Sequence, residues 1–210
     1  MAAFTHIIFD IDGTLIDSAE SSLRSLQRLV EERTGSAPEL SDLHFALGLA
    51  GEITLKRFGI YSQESMDRWA EIALGMADTL SVYPGVREAL SELRAAGFDL
   101  GIVSSRYHGE YRDEVAPLGL DGFFGIKVLA EDTAEHKPEP APMLEYLRRA
   151  GIDPGEALYV GDTDYDRRCA QSAGVTFALA AWGAPQSVED ADFTLSTPSE
   201  VLAIACQERG

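Results

Sequence analysis

His6-Ile7-Ile8-Phe9-Asp10-Ile11-Asp12-Gly13-Thr14-Leu15 is a short apolar run that ends in two carboxylates one residue apart and then a glycine. Residues two apart on an extended chain project to the same side, so this spacing predicts one site shared by Asp10 and Asp12. Asp and Gly are also ordinary turn formers, and a surface turn is the plainer reading. The apolar strand argues against it. Two acids at the tip of a buried strand repel each other unless a cation or donors offset their charge, and open α/β sheets bind ligands at that end of their strands.

Further runs of the same kind lie at 99–104, 125–129, 157–161 and 175–180, each apolar and bounded by turn residues. Helical spacing fills most of the intervals. Val86, Leu90 and Leu93 recur before Gly97, Met143, Leu144 and Leu147 before Gly151, and the segment 164–173 stops at Gly174, where glycine permits a left-handed ending. Thr197-Pro198-Ser199-Glu200 reads as a capping box with proline in the first helical position of a last helix. Strand and helix alternate, which predicts an α/β fold with a doubly wound, mostly parallel, Rossmann-like sheet covered on both faces.

One interval breaks the rhythm, because the first strand ends near Asp10 and the second begins near Asp99. Within it, Asp17-Ser18-Ala19-Glu20 opens a helix carrying Leu23, Leu26 and Val30, and Met66, Trp69, Ala73, Met76 and Leu80 form a second apolar stripe. The expectation is a core domain at 1–17 and 82–210 with a small helical cap domain inserted at 18–81. The Trp69 stripe is read as packing.

A second acidic pair, Asp162 and Asp166, follows an apolar strand in Gly161-Asp162-Thr163-Asp164-Tyr165-Asp166. Four-residue spacing gathers both acids on one face if a helix starts here, although helix capping alone accounts for one of them. With the first pair they supply the hard oxygen ligands that magnesium prefers. Ser104 and Ser105 end a strand in hydroxyls, and His136-Lys137-Pro138 precedes a helix. A hydroxyl and an ammonium reaching one phosphate would offset the charge that magnesium leaves.

Seventeen basic residues against thirty-five acidic ones leave a net charge of −18. Such a field repels nucleic acid and anionic lipid, so the expected partner is a small phosphorylated metabolite, with no nucleic acid and no membrane. Cys169 and Cys206 lack a CxxC pair or a histidine cluster, which disfavours disulfides and zinc. No leader and no membrane span are recognisable, and a cytoplasmic location is the default expectation.

The ordered series Asp10-Ile11-Asp12-Gly13-Thr14-Leu15, Ser104-Ser105, Lys137 and 161–166 resembles the haloacid dehalogenase superfamily of phosphatases across essentially the whole chain, including the cap and the Tyr83-Pro84-Gly85-Val86 return into the core. Phosphoglycolate phosphatase-like members and a related pyrophosphatase share this size and layout. The resemblance implies that Asp10 attacks phosphorus to give an aspartyl phosphate, and that Asp12 acts first as acid and then as base. It implies Mg2+ at Asp10, Asp12 (through its backbone carbonyl), Asp162 and Asp166, with Asp166 orienting the metal shell or Lys137. Ser104, Ser105 and Lys137 are the implied phosphate contacts.

Asp12 departs from the true dehalogenases, which lack an acid there, and Ser105 stands where many phosphatases of this branch carry asparagine. Arg106 and His136 flank the motifs but read as solvated side chains; His44, Lys56 and Arg57 are the cap's candidates for selectivity. A pyrophosphatase, a sugar-phosphate mutase and a phosphate-responsive signalling domain are the alternative readings. The cap sets the fit, so neither substrate nor oligomeric state is legible in these motifs.

Overall fold

The computed structural model describes residues 4–184 and 187–207. The strands among these are β1 (His6–Phe9), β2 (Ile16–Asp17), β3 (Ser81–Val82), β4 (Asp99–Val103), β5 (Ile126–Val128), β6 (Ala157–Gly161), β7 (Thr176–Ala180) and β8 (Phe193–Leu195). Six of them form one sheet in the order β5-β4-β1-β6-β7-β8, and every pairing within it is parallel. The order reverses beside β1, so the crevice above the tips of β1, β4 and β6 is the switch point of a doubly wound sheet.

The central strands are apolar past their first residues because both faces are covered. Every residue of β6 is buried. On one face α4 (Val86–Ala95) and α8 (Glu200–Gln207) lay Val86, Leu90, Leu93, Val201 and Ala205 over Ile7, Phe9, Leu158 and Val160. On the other, α6 (Ala141–Ala150) and α7 (Asp164–Ser172) lay Met143, Tyr146 and Cys169 over Ile8, Tyr159 and Phe177. Each fully enclosed aliphatic or aromatic side chain contributes on the order of 1.5–3 kcal/mol relative to its exposed state.

Between β2 and β3 lies the inserted helical unit. It contains α1 (Ala19–Thr34), a 3-10 segment (Leu40–Ala46), α2 (Gly51–Arg57) and α3 (Gln63–Leu74). Leu23, Leu26, Leu29, Leu43, Leu55 and Ile72 bury a small apolar core of its own, with Trp69 packed against it. β2 and β3 pair antiparallel, forming a two-strand stem where the chain leaves and re-enters the core.

Several local expectations are corrected. β8 and the β2–β3 stem escape the hydrophobic pattern because they are two or three residues long. The helical turns at α5 (His108–Glu110) and onward through Leu118 also went unread. Ser18 precedes α1 but makes no side-chain cap bond; its hydroxyl goes to Asp12 instead. α8 begins at Glu200, not Pro198, and the Glu200 carboxylate accepts from the Ser196 N–H.

Candidate active site

Asp10 is the first residue beyond β1, fixed by its N–H donating to the Val160 carbonyl at 2.9 Å. It is 1% exposed, and its Oδ1 stands 3.0 Å from Lys137 Nζ. That approach is an ion-pair contact lacking hydrogen-bond alignment, so Oδ1 has no hydrogen-bond partner among the described residues. Burial foremost, together with the charges of Asp166 and Asp12, outweighs Lys137 and pushes the Asp10 carboxyl up to about 7.

Asp162 and Asp166 come from the β6–α7 junction. The helix starts at Asp164 with Thr163 as its cap, so Asp162 lies on the connection and not on the helical face the spacing suggested. The acids converge nevertheless: oxygens of Asp10, Asp162 and Asp166 all lie within 4.8 Å of one another. Gly13 makes room for this, with φ +72° and a Cβ position only 2.0 Å from Asp162 Oδ2. Burial, then the charges of Asp166 and Asp10, raises the Asp162 carboxyl well above its ordinary value.

The free oxygens fit a hard divalent cation. Among the described residues Asp10 Oδ1 accepts no hydrogen bond and Asp162 accepts only a long 3.3 Å bond from Thr14, and the mutual repulsion of the acids is what such a charge relieves. Of the two tasks the resemblance implies for Asp166, orienting the metal shell or Lys137, its contacts match the second. Its Oδ1 accepts from Lys137 at 2.6 Å and lies 2.9 Å from Tyr159 Oη, while Oδ2 accepts from the Thr163 N–H and hydroxyl at 3.0 and 2.6 Å. With both oxygens taken, it anchors Lys137. Burial alone would lower the Lys137 ammonium, but Asp10 and Asp166 hold it above its usual range.

The Asp12 carboxylate lies outside the acidic cluster. Oδ1 accepts from Ser18 Oγ at 2.5 Å and Arg106 Nη2 at 2.8 Å, and Oδ2 accepts from Arg106 Nε at 2.8 Å. Burial would raise this carboxyl; Arg106 and Ser18 overcome it and hold the group below its usual range.

Arg106 is therefore the residue that the sequence misjudged. Its side chain is 10% exposed, and Nη1 reaches Glu114 at 2.7 Å. The available signal was its position directly after the strand-end serines. Ser104 is buried, lines the cavity, and its Oγ accepts from the Arg106 N–H at 3.3 Å. Ser105, expected on phosphate, instead donates to the Gly48 carbonyl of the helical unit at 2.8 Å.

These residues line a cavity of about 110 Å³ whose floor includes Asp10, Asp12, Asp162 and Ser104, and whose roof is formed by α1, the 46–49 segment and Trp69. His44, Lys56 and Arg57 do not line it, nor does His136, which is half-buried with an unpartnered Nδ1. Among the described residues no helix is long and apolar enough to cross a membrane.

The model of the haloacid dehalogenase-like hydrolases matches residues 7–180. A phosphoglycolate phosphatase of Aquifex aeolicus is 30% identical over 94% of this chain and 95% of its own. Pyrophosphatase PpaX of Bacillus velezensis is 30% identical over 95% of both. A haloacid dehalogenase superfamily hydrolase of Geobacter sulfurreducens, subfamily IA, superposes with a TM-score of 0.76 at 27% identity, covering 96% of this chain and 100% of that one. The structure of CbbY from Rhodobacter sphaeroides with phosphate, 18% identical, covers 94% and 96% at a TM-score of 0.78 and shares the fold.

Proposed function

The chain belongs to the haloacid dehalogenase-like hydrolases and is a phosphatase, and on that premise we propose that it hydrolyses a small phosphomonoester through an aspartyl phosphate on Asp10, using magnesium. The observation that carries this reading is the Asp10 carboxylate, which lines the cavity with an Oδ1 that accepts no hydrogen bond among the described residues and stands 3.0 Å from the Lys137 ammonium. In this reading the helical unit at 18–81 serves as the cap.

An Asp10 oxygen attacks phosphorus, the P–O bond to the leaving group breaks, and Asp12 protonates the departing oxygen. Water then attacks the phosphorus of the aspartyl phosphate while Asp12, now a carboxylate, takes its proton; the Asp10–phosphorus bond breaks and inorganic phosphate leaves. Asp10 and Asp162 side chains and the Asp12 backbone carbonyl would hold the metal, with Asp166 closing the acidic cluster behind them. When bound, the ion supplies charge neutralisation between two anions and polarises the phosphoryl group. Lys137 steadies Asp10 and Ser104 donates to a phosphate oxygen, so positioning and electrostatics supply most of the acceleration.

Asp12 has two opposed tasks. The carboxylate that Arg106 stabilises suits it as base, whereas its service as acid requires a proton that Arg106 disfavours. The pair therefore sets the balance between the two half-reactions.

The test is release of the phenol from an aryl phosphate with magnesium and with a chelator, for the native chain and for Asp10→Asn. Turnover that needs the metal and vanishes in a folded Asp10→Asn protein is expected. Undiminished turnover in that variant would remove the nucleophile assignment.

A further inference from the structure

Among the described residues, no cation lines the roof of the cavity. Every basic side chain of the helical unit is turned elsewhere: Arg24 pairs with Glu20, Arg28 and Arg68 with Glu32, Arg33 with Glu64 and Lys56 with Glu52. Arg57 stacks on the Phe45 ring, and His44 is exposed. None of them lines the cavity.

The cavity wall does include Arg106, from the core, but all three guanidinium nitrogens are engaged by Asp12 and Glu114. Glu110 joins Asp12 and Glu114 on the same wall, so acids outnumber the single cation there. A second anionic group on the substrate would thus meet a negative surface on one side and an uncharged roof on the other.

What the roof offers instead is neutral. Ser21 and Ser22 project from α1, and neither hydroxyl has a hydrogen-bond partner among the described residues, so both remain available to a ligand. Leu47, Leu49 and Trp69 supply apolar surface beside them. The space is modest, on the order of ten water-sized positions, which fits a phosphoryl group with a leaving group of a few heavy atoms.

We propose that the ester cleaved here carries a small, uncharged, hydroxyl-bearing leaving group, and that neither phosphoglycolate nor pyrophosphate is the preferred substrate. The inference rests on the phosphatase reading above and narrows it. It also counts against a mutase, which must seat a second phosphate where the roof has no charge to receive it.

The discriminating pair is hydroxyethyl phosphate and phosphoglycolate, which differ by a hydroxymethyl group against a carboxylate at the same chain length. Their kcat/KM values, and that of pyrophosphate, are to be measured by phosphate release from the native protein with magnesium. Hydroxyethyl phosphate should exceed each of the others by about tenfold or more. A ratio at or below one, or no turnover of hydroxyethyl phosphate, overturns the inference while leaving the phosphatase reading standing on the aryl phosphate assay. Failure of the aryl phosphate as well as of all three compounds overturns both.

Discussion

Arg106 lies across both oxygens of Asp12, with Nε 2.8 Å from Oδ2 and Nη2 2.8 Å from Oδ1. The planar fork matches the carboxylate in a way that an ammonium cannot. A step that needs protonated Asp12 slows as pH rises through the Asp12 pKa, and Arg106 keeps that pKa low. Arg106→Gln should therefore move the alkaline limb of the kcat/KM profile to higher pH, and Arg106→Lys should move it part of the way. Rates measured from about pH 3 to 8, a range that begins near the ordinary carboxylate value, decide this, and an unmoved limb in both variants would disconnect Arg106 from the acid step.

Lys137 holds two buried carboxylates, Asp10 at 3.0 Å and Asp166 at 2.6 Å, with side-chain exposures of only 1, 2 and 0%. Lys137→Met leaves both acids without their counter-charge, at a cost of about 3–5 kcal/mol. The midpoint of thermal unfolding should fall on the order of 10 °C at neutral pH. Burial already raises Asp10 above its ordinary value beside the ammonium, and loss of the ammonium raises it further, so the folded variant binds more protons than the unfolded chain. Its deficit must then shrink as pH is lowered. Scans at acid and alkaline pH test this; an equal deficit at both would mean that the acids were not relying on Lys137.

The sequence carried the catalytic floor well, and the reason is local. Asp10, Ser104 and Asp162 each stand at the end of a strand whose apolar run is unmistakable, and a parallel sheet brings those ends together whatever the intervening chain does. Arg106 and the roof were hidden because their partners are remote. The Arg106–Asp12 pair spans 94 positions and the Ser105–Gly48 bond 57, and no periodicity reports either. The segment 40–57 was also silent, since a 3-10 turn and a seven-residue helix are too short to establish a pattern. Asp166 was legible as an acid of the site that orients either the metal shell or Lys137; the choice between the two depends on the count of donors around its oxygens.

Glu110 lines the same wall as Arg106 and accepts from the Tyr107 N–H at 2.9 Å. Burial, the largest influence, pushes its carboxyl up from 4.5 to about 7. The folded chain therefore keeps a proton that the unfolded chain releases, and stability declines as pH rises between those two values. Glu110→Gln retains an oxygen for the Tyr107 N–H and removes the titration. Its stability relative to the native chain should rise by about 2 kcal/mol between pH 5 and pH 8, as read from urea midpoints. A constant difference across that range would show that Glu110 ionises as freely in the folded protein as in the unfolded one.

Two core hydroxyls reach the roof segment of the helical unit, Ser105 donating to the Gly48 carbonyl at 2.8 Å and Tyr165 to the Phe45 carbonyl at 3.1 Å. Gly48 permits the approach through its φ of +84°, and a Cβ there would press on Thr163 at 3.0 Å. Both bonds join the roof segment to residues beside the acidic cluster, so they favour the arrangement in which the cavity is closed. Removing them with Ser105→Ala and Tyr165→Phe forfeits about 1 kcal/mol each. If turnover requires the closed arrangement, the double variant should lose about tenfold in kcat/KM on a small phosphate ester, while its unfolding midpoint falls by only a few degrees. A larger loss of stability than of activity would assign the two bonds to folding. Native kinetics in the double variant would show that closure is held by the apolar contacts of the roof alone.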